Sequence, residues 1–175
     1  MTALAASPWT ETVLAFVREN THIAEPVIFA LGFAESIALV SLFVPSSILF
    51  VAIGGLLSAA GGSFWSACLA GAAGAFLGDL VSYGFGRIFK EDVPRVWPFS
   101  RNPLWLPRAA AFFERWGLLG LVFGKFMGFL RPFLPVVAGT VRMPWVPFLI
   151  GSAVSSLLWA AVFLVPGYGV VWLAR

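Results

Sequence analysis

Two basic side chains, Lys125 and Arg131, lie in a stretch that is otherwise apolar and rich in glycine and proline. One charged side chain at the centre of a bilayer costs about 2.5–3.5 kcal/mol on insertion scales, so such cations need a partner or a water-filled cavity. The two cations, with the prolines and glycines around them, therefore predict a broken or re-entrant segment that lines a polar cavity inside the membrane.

Acidic residues that could balance these cations occur in other apolar stretches. Glu35 is the only charge within Pro26–Val44, and a glutamate in mid-span is a functional candidate by default. Its alternative place is a helix end near the headgroups. Asp79 and Tyr83 are one helical turn apart and so share a face. For Asp79 two interpretations stay open, a structural partner of Arg87 or a member of the cavity.

The composition is that of an integral membrane protein. Hydrophobic residues make up 60% of the 175 and charged residues only 11%, whereas soluble domains carry about 25% charged residues. The mean hydropathy is +0.94. Eight tryptophans fit aromatic rings placed at membrane interfaces. The length suits one domain, residues 1–175, which we predict to be all-α.

The motifs of several function classes are missing. The chain has one histidine, one cysteine and neither an HExxH nor a CxxC motif. We therefore expect no cofactor, no metal and no enzymatic activity, although a lipid-phosphate hydrolase that uses neither residue stays open. The net charge of +3 is small and no nucleic-acid motif accompanies it. No nucleic acid is expected as a partner.

The chain divides into two halves with one plan, an amphipathic stretch, a broken hydrophobic hairpin and a span. In the first half these are residues 8–22, 26–60 and 63–86, and in the second 106–116, 117–142 and 145–172. Paired interrupted segments in corresponding positions indicate a transporter binding site near the midplane. We therefore predict two re-entrant helical hairpins in a pseudo-symmetric, inverted-repeat-like arrangement, flanked by transmembrane and amphipathic helices.

The breaks in the two hairpins come from prolines and polar residues. Pro45-Ser46-Ser47 interrupts the first hairpin, and Pro132 and Pro135 interrupt the second. Proline lacks the N–H that a helix uses and its ring obstructs the preceding turn. Non-helical backbone at membrane depth is tolerated only where protein or water covers it. In the last span, Pro166-Gly167 is expected to disturb the helix.

Residues 63–86 form the clearest span, with Ser63 as a candidate N-cap. A stripe of small side chains lets another helix approach closely, and it consists of Gly71, Gly74, Ala75 and Gly78. Residues 87–116 then carry six of the eleven basic residues. The positive-inside rule places this loop in the cytoplasm.

Three stretches, taken together, resemble the DedA family, also called SNARE-associated or VTT-domain proteins. They are GAFLGDLVSYGFGR (74–87), FFERWG (112–117) and FGKFMGFLRPFLPVVAGTVRMPWVPF (123–148). Glu35, Pro45 and ILFVAIGGLL (48–57) resemble the first hairpin of that family. The stretch VWPFSRNPLWLP (96–107) resembles the branch in which the domain is fused to a lipid phosphatase domain.

The resemblance implies a multi-pass protein of the bacterial cytoplasmic membrane that moves a phosphorylated lipid, either undecaprenyl phosphate or a phospholipid. It implies that Arg131 and Lys125 hold the phosphate and that Glu35 supplies the counter-charge. The chain departs from the family pattern at Ser46 and Ser47, where glycine and then an acid are usual. Lys125 stands where arginine is usual in the family. Lysine supplies a positive charge but lacks the planar guanidinium that can bind a phosphate through two N–H donors.

The residues expected at the substrate are therefore Arg131, Lys125, Glu35, Ser46, Ser47, Asp79, Tyr83 and Gly139. The expected partner is a membrane lipid with a phosphate headgroup, and a homo-oligomer stays open. Two further alternatives remain. One is a proton-coupled ion or small-solute transporter that uses Glu35 and Asp79. The other is a non-transporting assembly factor in which the charges only hold the hairpins together.

Overall fold

The protein is described by a computed structural model that covers residues 12, 19–20, 23–37, 46–95, 99–126, 131 and 133–173. Within these ranges all regular structure is helical. The α-helices are α1 (Ala24–Ser36), α2 (Ser46–Ala59), α3 (Phe64–Ile88), α4 (Trp105–Gly124), α5 (Leu134–Thr140) and α6 (Trp145–Leu173). Two 3₁₀ turns, Val93–Arg95 and Phe99–Arg101, lie between α3 and α4. The predicted amphipathic segment 8–22 falls almost wholly outside the described residues.

Two helices are long and apolar enough to cross a membrane. They are Phe64–Ile88, with a mean hydropathy of 1.5, and Trp145–Gly169 within α6, with a mean hydropathy of 2.2. Large apolar side chains are exposed along both helices, including Leu77 and Val81 on α3 and Val162 on α6. These outward apolar faces, together with the composition, are those of a membrane protein.

The glycine stripe on α3 brings α1 against it, as the sequence predicts. A Cβ atom on Gly74 would overlap the carbonyl oxygen of Phe29 on α1, and one on Gly78 would lie 2.6 Å from the carbonyl oxygen of Phe33. Small residues therefore allow the two backbones to approach closely. The same device joins α5 to α3, because a Cβ on Gly86 would overlap the carbonyl oxygen of Val136.

We expect Gly74→Ala to destabilise the protein by roughly 1–3 kcal/mol, because the added methyl group would have to push α1 away from α3. Gly84 on the same helix is the matched control, since a Cβ there meets no described atom within 4 Å. Gly84→Ala should stabilise α3 by about 0.5–1 kcal/mol through helix propensity alone. Thermal unfolding in detergent measures both changes. Equal shifts of the two variants would contradict the close contact between α1 and α3.

Helix α1 is shorter than predicted. The sequence favours a helix from Pro26 to Val44, but α1 ends at Ser36, and Ile37 is extended (φ −87°, ψ 118°). The end is stabilised from another helix, because the Ser82 hydroxyl on α3 donates a hydrogen bond of 2.9 Å to the carbonyl oxygen of Ser36. Carbonyl groups at a helix C-terminus have no partner within the helix, and this bond supplies one. Glu35 therefore lies at a helix end, in the last turn of α1, and its position in mid-span of the membrane stays a prediction.

Helix α6 continues through a proline that was expected to disturb it. It runs through Pro166-Gly167 to Leu173. At this point α6 lies directly on α2, since a Cβ on Gly167 would overlap the carbonyl oxygen of Val51. This tight contact holds the helical path where one backbone N–H is missing.

The second predicted hairpin is interrupted. Helix α4 ends at Gly124, and the next α-helix, α5, begins at Leu134. A kink within α4 falls at Gly117, where φ is +48° and ψ is −123°, a conformation that glycine adopts without a steric penalty. Residues 117–142 therefore do not form one continuous rod. Gly128 and Pro132 lie outside the described residues.

Candidate functional site

A polar site lies between the two apolar clusters of the fold. On α3, Ala75 belongs to the first cluster and Tyr83 to the second, and Asp79 lies between them. On α6, Phe148 belongs to the second cluster and Trp159 to the first. The α6 residues between those two include three buried serines, Ser152, Ser155 and Ser156. The charged side chains therefore meet within apolar surroundings.

Lys125 and Asp79 form a buried ion pair. The Lys125 ammonium donates to Asp79 Oδ2 over 2.5 Å and to the Ser156 hydroxyl over 2.7 Å. The Ser152 hydroxyl donates to the same carboxylate oxygen over 2.7 Å. Both charged side chains are only 5% exposed. A buried pair persists only when further hydrogen bonds satisfy its polar atoms, and the two serines on α6 provide these bonds.

Lys125 comes directly after the C-terminus of α4. A cation just past a helix C-terminus is favoured by the helix dipole, and Lys125 is the C-terminal capping residue of α4.

Arg87, the other cation considered as a partner of Asp79, forms different hydrogen bonds. It donates to the Tyr83 hydroxyl over 2.5 Å and to the carbonyl oxygen of Met143 over 3.3 Å. Of the two interpretations left open for Asp79, the structure favours membership in the cavity.

Arg131 and Glu35 form a second ion pair across the fold. Arg131 Nη1 donates to Glu35 Oε1, and the two side chains are 10% and 9% exposed. Glu35 lies in the last turn of α1, where the helix dipole disfavours a carboxylate. The guanidinium offsets that unfavourable position. The two pairs thus join elements that are far apart in the chain.

The guanidinium of Arg131 has further donors and an aromatic neighbour. Its Nε and Nη2 are buried and have no hydrogen-bond partner among the described residues. The Cζ atom lies 4.0 Å from the centroid of the Trp159 ring. A cation over an indole face at this distance is attracted by the ring. One edge of the guanidinium therefore stays available for an acceptor.

Residues of both ion pairs line a small pocket. Its polar wall consists of Asp79, Lys125, Arg131, Ser152 and Ser155, and its apolar wall of Leu121, Leu134 and Pro135. Its volume of about 10 Å³ is close to that of one water molecule. A phosphate is larger than a water molecule, so it needs more room than this pocket offers.

The structure brings four of the eight predicted substrate residues into this site, namely Glu35, Asp79, Lys125 and Arg131. Tyr83 and Gly139 lie elsewhere. The Tyr83 hydroxyl donates to the carbonyl oxygen of Met143 over 2.5 Å. A Cβ on Gly139 would overlap the carbonyl oxygen of Tyr83, so this glycine lets α5 pack on α3. Ser46 and Ser47 are the first residues of α2. Their side chains are not among those that the structure describes, so their role at the substrate stays a prediction.

Ser152, Ser156 and Trp159 were missed as site residues, although the sequence places them in the last span. Their spacing of four and then three residues puts them on one face of a helix. Two hydroxyls and an indole on one face of an apolar helix could have indicated that this face meets the charged residues.

Comparison with known protein families gives a match over most of the chain. The model of the VTT domain matches residues 44–169. Inner membrane protein YabI of Escherichia coli is 31% identical over 153 residues, which cover 87% of this chain and 60% of that protein. An uncharacterized membrane protein of Mycobacterium leprae, ML0287, is 30% identical over 176 residues, which cover 95% of this chain and 77% of that protein.

Protein DedA of E. coli is 32% identical over 97 residues, which cover 54% of this chain and 43% of that protein. The chain spans about 60% of the length of YabI. No solved structure matches it significantly. The likeness to the branch fused to a lipid phosphatase domain stays a prediction.

Proposed function

Because this chain belongs to the VTT-domain family of membrane proteins, which includes DedA, we propose that it moves a phosphorylated lipid across the membrane. The substrate class is a lipid with a phosphate headgroup, either undecaprenyl phosphate or a phospholipid. The protein acts as a transporter and not as an enzyme. The acyl or prenyl chains stay in the surrounding lipid while the headgroup passes through the protein.

One observation supports this proposal most strongly. Arg131 uses one nitrogen on Glu35 and keeps two buried donors, Nε and Nη2, without a hydrogen-bond partner among the described residues. A buried donor without a partner costs about 1–3 kcal/mol, and more when the group is charged. Two donors on one edge of a guanidinium match two oxygens of a phosphate. A headgroup bound there would remove this cost.

The charges of the site also fit an anionic cargo. Lys125 and Arg131 balance Asp79 and Glu35, so the site without a ligand has no formal net charge. An entering phosphate adds negative charge in apolar surroundings, where an uncompensated charge is costly. We therefore propose that Glu35 balances Arg131 when no lipid is bound, and that the phosphate binds the remaining Nε–Nη2 edge of Arg131. Lys125 supplies a second positive charge for the headgroup.

We propose in addition how the helices around the site are arranged in the membrane. The interrupted segments 26–60 and 117–142 are two re-entrant hairpins that face each other in a pseudo-symmetric arrangement. The close contacts of α1 and α5 with α3 support this assignment, because both short helices lie on a long apolar one. The protein is a multi-pass protein of the bacterial cytoplasmic membrane, and the basic loop 87–116 faces the cytoplasm.

Reconstitution tests the function against its alternatives. In phosphatidylcholine vesicles that carry fluorescent phosphatidic acid in one leaflet, the protein should speed transfer of that lipid. It should leave transfer of an uncharged fluorescent diacylglycerol unchanged. Uptake of labelled inorganic phosphate without lipid transfer, or a current without lipid substrate, would instead favour a solute or ion transporter. Release of inorganic phosphate from the lipid would identify a hydrolase.

A further inference from the structure

Trp159 contacts Arg131, but the proposed function assigns no role to this tryptophan. Its side chain is 1% exposed, and Arg131 Cζ lies 4.0 Å from its ring centroid. Two phenyl rings hold the indole in place, with centroids at 4.6 Å for Phe50 and 5.3 Å for Phe163. The indole is thus a fixed surface on which the guanidinium rests.

The contacts of Trp159 differ from those of an ordinary core tryptophan. A buried tryptophan usually finds a hydrogen-bond partner for its N–H group, but Nε1 of Trp159 is buried without one among the described residues. A charged guanidinium lies over the ring. Cation–π attraction is strongest where water is excluded, and Arg131 is only 10% exposed. Packing alone does not require a cation at this place.

The ring and Glu35 together restrict the guanidinium. Glu35 holds Nη1, and the indole lies against the planar group, so rotation about the terminal bonds of Arg131 is limited. The edge formed by Nε and Nη2 is then held in one direction before any ligand arrives. A donor pair fixed in advance binds more tightly, because no ordering is needed upon binding.

We propose that Trp159 is a positioning residue for the phosphate lipid, which acts by orienting the Nε–Nη2 edge of Arg131. This inference rests on the proposed function. Helix α6 thereby orients both cations, because the Ser156 hydroxyl accepts from Lys125 and Trp159, one turn later, supports Arg131. Trp159 itself needs no contact with the phosphate.

The test compares two substitutions in vesicles with increasing amounts of fluorescent phosphatidic acid. Trp159→Leu removes the ring and should raise the half-saturating lipid concentration about two- to tenfold, the cost of ordering one long side chain upon binding. The maximal rate should change little, because Arg131 and its charge remain. Trp159→Phe keeps an aromatic face and should recover most of the affinity. Trp159→Met is a second variant without the ring, to be used if the leucine variant does not fold.

Phe64→Leu is the matched control, since Phe64 packs on the same apolar cluster as Trp159 but its ring contacts Trp65 and Tyr168. It should lower the unfolding temperature without changing the half-saturating concentration. If Trp159→Leu and Phe64→Leu raise that concentration equally, or if Trp159→Phe does not recover affinity, the positioning role is wrong. If Trp159→Leu transfers normally while Arg131→Ala is inactive, only this inference fails. Normal transfer by Arg131→Ala would instead overturn the proposed function.

Discussion

We expect Arg131→Ala to abolish transfer of a phosphate lipid, with a fall in rate of at least about thirtyfold. Truncating one partner of a buried, hydrogen-bonded charge pair costs about 2–5 kcal/mol, and each 1.36 kcal/mol changes a rate tenfold. Arg131 combines a buried positive charge with two donors that have no other partner among the described residues. Transfer of fluorescent phosphatidic acid in vesicles measures the loss.

The same substitution should also destabilise the protein, so stability has to be separated from function. Arg131→Ala leaves Glu35 buried beside a helix C-terminus without its cation, and breaking a buried pair costs about 3–5 kcal/mol. The double variant Glu35→Ala/Arg131→Ala removes both charges and should regain most of this stability. It should still fail to transfer lipid. Transfer by the double variant would contradict the assignment of the phosphate to Arg131.

Exchange of the two charges distinguishes a transporter from an assembly factor. The variant Glu35→Arg/Arg131→Glu keeps an ion pair between positions 35 and 131. It moves the guanidinium from position 131 to the end of α1. A protein in which the charges only hold hairpins together should work as well after the exchange. The lipid transporter proposed here should lose transfer, because the donors no longer face the same pocket.

The second large effect is expected at the Lys125–Asp79 pair. Asp79→Ala leaves a buried ammonium with only a serine hydroxyl as its acceptor among the described residues, and should cost about 3–5 kcal/mol of unfolding free energy. The double variant Asp79→Leu/Lys125→Met replaces the pair by apolar side chains of similar size, and should be close to the original protein in stability. Denaturant unfolding in detergent measures these values.

Two comparisons make this prediction specific. Lys90 and Glu91 form an exposed pair at 3.4 Å, with side chains 37% and 82% exposed. Breaking that pair by Lys90→Ala should cost only about 0–1 kcal/mol. The Asp79→Leu/Lys125→Met variant should transfer lipid poorly in spite of its stability, because Lys125 supplies charge to the headgroup. A stable Asp79→Ala variant would show that Lys125 does not depend on Asp79 inside the fold.

Local sequence could predict the interruptions and the close helix contacts. Prolines and glycines between Gly124 and Gly139 disfavour a continuous apolar helix, and the structure has helix ends at Gly124 and Leu134. The same reasoning failed at Pro166, where α6 continues. The small residues of α3 predict a close neighbour, and α1 occupies that position. Both features depend on the chemistry of single residues and their immediate neighbours in the chain.

The choice of partners could not be predicted in this way, because it depends on tertiary packing. Asp79 is eight residues from Arg87 in the chain, yet it pairs with Lys125, which caps the C-terminus of α4. The end of α1 is stabilised by Ser82, which belongs to α3. Trp159 carries no charge, so hydropathy alone assigns it to the core. Its contact with Arg131 arises only when α6 lies beside the interrupted segment.

The central claim is that a lipid phosphate binds the guanidinium of Arg131, and a ³¹P–¹⁵N distance measurement tests it most directly. Protein with ¹⁵N-labelled arginine side chains would be reconstituted with phosphatidic acid in phosphatidylcholine vesicles and studied by solid-state NMR. We predict a coupling between the phosphatidic acid phosphorus and guanidinium nitrogens at hydrogen-bonding range, which disappears in Arg131→Lys. An unchanged coupling in Arg131→Lys, or no coupling in the original protein, would contradict the account.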